Sequence, residues 1–180
     1  MAGLLELFFK LAPDEVRGHA IEFVGQTFSK AQEQVPPEPI EALTTLWESR
    51  LSVIRASSGR DFFELINFGW WFASGKFEKK WAITKLVEVL KTTGKVEPAH
   101  LVLKELALLS KAFPLESVRS LGMMVAGDRE GWRVHSWRED ARTILTSALV
   151  SKDVAAQGAA EELINRLCAQ GFLDYRDLLR

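Results

Sequence analysis

This chain has almost no cysteine, no excess of either charge and no sign of a strand. Cys168 is the single thiol in 180 residues, so no disulfide can form within the chain. It lies between Leu167 and Ala169 in a helical run and reads as a small apolar side chain of the interior. The formal net charge is −1. The balance is also local: residues 1–94 carry 11 Lys or Arg against 12 Asp or Glu, and residues 95–180 carry 12 against 12. With no basic arm, a generic pull toward nucleic acid or an anionic membrane is lacking. No alternating run of β-branched residues and no Asn-Gly or Asp-Gly turn is present, which argues against a sheet built from hairpins. No apolar run approaches the roughly 20 residues of a membrane span. The start, Met1 to Lys10, is apolar but has no basic leader and is interrupted by Glu6, so it does not read as a signal peptide. A cytoplasmic location is the expectation.

Catalytic and metal-binding patterns are also missing. His19, His100 and His135 are far apart and have no Cys or His at ligand spacing, so no metal is expected. Gly122 to Gly127 imitates the first part of a P-loop, but Asp128-Arg129 stands where Lys and Ser or Thr are needed. There is no Gly-x-Ser-x-Gly elbow and no Cys–His arrangement. The pairs Asp14/Glu15, Glu139/Asp140 and Glu161/Glu162 suit first helical turns or exposed faces. Neighbours on a helix diverge by about 100°, so Glu139 and Asp140 do not share an acid–base site. The expectation is a chain that is not an enzyme and holds no cofactor.

What is present is helix. Hydrophobic residues make up 47% and charged residues 26%, ordinary for one globular domain over 1–180. Apolar periodicity predicts helices at about 3–11, 14–31, 38–56, 61–73, 77–92, 98–112, 115–126, 135–150 and 154–170, with a short one at 174–179. One signal appears twice: Pro13-Asp14-Glu15 and Pro114-Leu115-Glu116 each follow an apolar run and open another. Pro suits a first helical turn, where its missing N–H would have no partner, and the acids favour the positive helix end. Elsewhere Pro36-Pro37, Ser57-Ser58-Gly59, Gly75, Thr93-Gly94, Gly127 and Gly171 punctuate, and Asp61 can cap the helix after it.

The predicted helices differ in burial. In 38–56, Ile40, Leu43, Leu46, Trp47, Val53 and Ile54 form one apolar stripe. In 98–112, apolar residues from Leu101 to Ala112 surround nearly the whole helix, which then needs neighbours on several sides. Gly18, Gly25, Gly122 and Gly158 lie inside helices at a cost of about 1 kcal/mol each, and close helix–helix approach is the expected compensation.

On the Pro-started helices at Pro13 and Pro114 and the paired amphipathic helices around them, the chain resembles HEAT and armadillo repeats. The resemblance implies an all-α fold, a right-handed α-solenoid of about four to five antiparallel helix pairs. Phe68 to Phe77, Gly127 to Trp132 and Gly171 to Leu179 resemble the C-terminal helical-repeat regions of large bacterial multidomain proteins. Some such proteins carry NTPase or other effector modules upstream, so the resemblance implies a recognition or scaffold piece whose partner is a protein or an upstream domain.

Two aromatic clusters are the candidate partner-binding residues. Trp70 and Trp71 sit in an eleven-residue stretch with Phe62, Phe63, Phe68 and Phe72. Inter-repeat core accounts for most of this density; a contact surface accounts for the rest, because Trp favours binding hot spots. Trp132-Arg133 and Trp137-Arg138 flank a loop-to-helix junction, where Arg beside Trp suits a carboxylate, phosphate or nucleobase. Asp128, Glu130, Glu139 and Asp140 stand ready to neutralise those arginines. HEAT-like DNA-repair glycosylases use Trp, Arg and an acid on a concave face, so a nucleic-acid-binding solenoid is the alternative, disfavoured by the missing basic excess. A third possibility is self-association through the apolar run Leu4 to Leu11, which appears with no polar capping helix before it.

Overall fold

The computed structural model describes residues 2–31, 35–56, 63–128 and 135–179. Among them are nine α-helices: α1 (Ala2–Leu11), α2 (Asp14–Lys30), α3 (Pro37–Ala56), α4 (Phe63–Ala73), α5 (Lys79–Thr93), α6 (Ala99–Leu109), α7 (Pro114–Gly127), α8 (Arg138–Leu149) and α9 (Val154–Ala169). A 3-10 helix, Leu173–Leu179, ends the described chain. The fold is all-α, and no described helix is long and apolar enough to cross a membrane.

Local chemistry sets the boundaries. Pro114 is the first residue of α7, whereas Pro13 stands one step outside α2, at its N-cap. Glu78 caps α5 by accepting from the Lys80 and Trp81 amides at 2.9 and 2.6 Å, and these bonds hold its carboxyl below the usual value. Asp153 caps α9 through the Ala155 and Ala156 amides. The expected cap Asp61 lies outside the described residues. The first amides of α4, on Phe63 and Glu64, instead donate to the Asp14 carboxylate of α2 at 3.0 and 3.1 Å. Asp14 thus joins two helices as well as opening its own.

Packing follows an alternation. α2, α4, α6 and α8 touch in series, and so do α5, α7 and α9. Consecutive helices α4/α5, α6/α7, α7/α8 and α8/α9 connect the two series, while α1 rests on α3. The aromatic density lies where α3, α4 and α5 meet. Trp47 stacks on Phe68 at 4.4 Å, Trp71 on Phe77 at 5.4 Å, and Phe77 on Trp81 at 5.4 Å. Each such burial contributes about 1.5–3 kcal/mol. Polar links complete the joints. The Ser110 hydroxyl donates to Ser147 at 2.9 Å between α6 and α8. Arg142 of α8 donates to Asp174 O at 2.9 Å and to Asp177 at 3.0 Å, which fastens the 3-10 helix.

Close approach explains two of the four glycines singled out in the sequence. A Cβ on Gly18 would collide with the Phe63 ring, and one on Gly25 would lie 2.5–2.8 Å from Trp70 Cβ and backbone. These two glycines, seven residues apart on one face, let α2 lie directly on α4. Gly122 has only ordinary contacts, and Gly158 faces open space, so the expected compensation is absent at both. The α6 helix is likewise less enclosed than its composition implies. Leu108 and, just beyond the helix, Ala112 are exposed, while Val102, Leu103, Leu106 and Leu109 are buried. Val53, expected in the α3 stripe, is exposed as well.

Candidate functional site: a groove across three helices

The outer face of the α5–α7–α9 series is built from matching stripes. α7 presents Arg119, Gly122 and Ala126, α9 presents Ala159, Glu162 and Arg166, and α5 presents Val87 and Lys91. The spacings are three and four residues, so each set lies along one helical face. Gly122, Ala126 and Ala159 contribute almost no side chain, which leaves a trough between the longer residues. A hollow of about 300 Å³ spans all three helices there.

A wider cleft of about 1060 Å³ continues from it, sharing Lys91, Met123 and Ala126. It opens where α5 and α7 both end. Gly94 turns α5 off in the left-handed region, at φ 68, with its amide donating to Leu90 O at 2.8 Å. Gly127 ends α7 against that turn; a Cβ on it would collide with Gly94 O. Leu90, Val96, Met123, Met124 and Trp137 supply the apolar lining, while Lys95, Glu97 and Asp128 supply charge.

The smaller hollow is the more basic of the two. Lys91, Arg119 and Arg166 border it against the single acid Glu162. Arg166 is held in place by donating to Gly122 O at 2.9 Å, across the α9–α7 gap. Lys91 and Arg119 are exposed. Among the described residues lining both hollows there is no His, Cys or Ser. What this arrangement offers is a shallow apolar floor with cationic edges, suited to a chain carrying carboxylates or phosphates.

The six candidate residues do not assemble into one surface. Trp71 is buried in the aromatic core, with its Nε1 donating to Ile21 O at 2.9 Å. Trp70 is half-buried, with its Cβ and backbone against Gly25. Trp137 is buried at the N-cap of α8, and it alone of the described candidates lines the cleft. Arg138 is exposed and pairs with Asp174 at 3.0 Å. Trp132 and Arg133 lie outside the described residues. His19, His100 and His135 lie on α2, on α6 and just before α8, all exposed. No group of three or more potential metal ligands occurs among the described residues.

Nothing in the sequence singles out Lys91, Arg119 and Arg166. Each is an ordinary charged residue on its own helix. The one available signal is the recurrence of small residues next to a base at helical spacing, in Arg119/Gly122/Ala126 and Ala159/Arg166. Comparison with protein-family models, with curated proteins and with solved structures gives no match.

Proposed function

We propose that the chain is a helical-repeat binding module, a HEAT-like α-solenoid without chemistry of its own. On this proposal it holds an acidic segment of a protein partner in the α5–α7–α9 groove. The observation that carries the proposal is the trough itself: a small-residue floor across three helices, bordered by Lys91, Arg119 and Arg166 against Glu162. The serial contacts of α2, α4, α6 and α8, and of α5, α7 and α9, support the solenoid. A groove made from repeated helices is the surface such architectures use for extended partners.

The test is fluorescence anisotropy with a labelled amphipathic peptide that has leucines on one face and glutamates on its flanks. The control peptide carries lysines in place of the glutamates. The acidic peptide is expected to bind in the micromolar range, the basic one at least about tenfold more weakly. Arg119→Glu, a change at an exposed position, leaves two bases against two acids and should erase that ranking. No binding of either peptide at millimolar concentration would sink the proposal. Binding of single-stranded DNA with a steep salt dependence, and of neither peptide, would replace it with the nucleic-acid alternative.

A further inference from the structure

A different surface carries a second interaction. α1 has two apolar faces. Phe9 is buried and Leu5 packs against the core, which anchors the helix inward. Arg17 donates to Ala12 O and fixes the turn at its end. The other face holds Leu4, Leu7, Phe8 and Leu11, exposed by 77%, 51%, 39% and 71%. At about 100° per residue these four fall within an arc of about 100°, clear of Leu5 and Phe9. Such a stripe is normally the buried face of a helix.

Its pattern is its own mirror. Reversing the helix direction about the midpoint between Leu7 and Phe8 exchanges Leu4 with Leu11 and Leu7 with Phe8. A two-fold interface demands this kind of self-complementarity, because one patch must serve both sides. The charges do not enter the seam: Glu6 and Lys10, both exposed, point about 150° and about 110° away from the centre of the stripe. A two-fold axis therefore brings only the apolar edges together, Leu7 against Leu7 and Phe8 against Phe8.

We infer that α1 is a homodimerisation helix, pairing antiparallel with α1 of a second copy of this chain through Leu4, Leu7, Phe8 and Leu11. The four side chains leave on the order of 400 Å² open per copy, about 800 Å² for the pair. That is the size of a weak interface, so the dimer forms in a concentration-dependent equilibrium at about 100 µM.

Sedimentation velocity on the whole chain tests this between about 5 and 300 µM. The mass is expected to rise from 20.2 kDa toward twice that value. Leu7→Glu and Leu7→Lys alter an exposed position, so each protein should keep its helical circular dichroism and stay monomeric throughout. An equimolar mixture of the two variants should dimerise again. The carboxylate introduced in one chain then meets the ammonium introduced in the other, and the Phe8–Phe8 contact on the opposite edge is kept. A wild-type monomer at about 300 µM would overturn the inference, as would a dimer that survives Leu7→Glu. Loss of association in both variants with no recovery on mixing would overturn the antiparallel register. None of these outcomes bears on peptide binding at the groove.

Discussion

Glu64 is the most consequential charge in the interior, and replacing it should cost more stability than any other conservative polar change. Its side chain is 0% exposed, and it lies between two arginines from other helices that are themselves only 15% and 12% exposed. Arg17 Nε of α2 donates to one carboxylate oxygen at 2.5 Å. Arg50 of α3 donates to both oxygens, at 2.8 and 3.0 Å. One carboxylate therefore answers two guanidinium groups and ties α2, α3 and α4 together. Glu64→Gln keeps the shape but turns half of the acceptor edge into an amide donor facing an arginine. Arg50 then loses this counter-charge and Arg17 keeps only Asp14, at 3.6 Å, a change that costs about 3 kcal/mol. A domain of this kind has only about 5–15 kcal/mol in total. With a urea dependence of about 2 kcal/mol per molar, the unfolding midpoint should fall by about 1.5 M. The triple variant Arg17→Met, Glu64→Leu, Arg50→Met removes the carboxylate and both guanidinium groups at once, leaves Asp14 its two α4 amide donors, and should lie within about 2 kcal/mol of the wild type, or above it. Urea titration followed by circular dichroism measures both. The reasoning is refuted if Glu64→Gln loses less than about 1 kcal/mol, or if the triple variant is as damaged as the single one.

Two glycine substitutions should move stability in opposite directions. Gly25→Ala drives a methyl into Trp70 Cβ and backbone, which cannot swing aside, and the overpacking outweighs the helix-propensity gain for a net loss of about 2 kcal/mol. Gly158→Ala meets nothing within 4 Å and should add about 0.5–1 kcal/mol, so thermal melts that rank the two alike would contradict the α2–α4 contact. Glu105 gives a pH signature: burial pushes its carboxyl up from 4.5, with nearby Lys79 opposing the shift. The folded state then binds the proton more tightly than the unfolded chain, so this contribution is fully present below pH 4.5 and is lost as pH rises through the higher folded value. Glu105→Gln should therefore gain on the wild type only above that window, and an offset in urea midpoints that stays constant from about pH 4 to 8 would rule this origin out.

The helices are legible because their signals are local. Among the described residues, apolar periodicity places all ten helical elements, and caps such as Asp153 and stops such as Gly94 place most ends within two or three residues. The joints between helices are less legible. Gly18, Gly25, Gly122 and Gly158 look alike in the sequence, yet only the first two face another helix closely. Asp14 reads as an acid in the first turn of α2, and nothing near it in the chain announces that it also receives the α4 amides. The Arg17–Glu64–Arg50 cluster joins residues 47 and 14 positions apart, beyond any local pattern.

The candidate groove shows the same limit in a sharper form. Tryptophan stands out in a sequence because it is rare and large, but size and apolarity are also what a core selects. Trp71 lies inside for that reason, with a backbone carbonyl for its one polar atom. A groove selects differently. Its floor needs residues that leave space, such as Gly122, Ala126 and Ala159, and its edges need charges that would be solvated in any case. Neither choice departs from what an exposed helix face normally carries, so no single helix marks the site. Only the serial placement of α5, α7 and α9 turns three ordinary stripes into one surface. The stripe on α1 is the contrasting case, since Leu4, Leu7, Phe8 and Leu11 form a complete apolar face within a single helix. That pattern is visible before any fold is known, but only the packing of Leu5 and Phe9 against the core shows that it points outward.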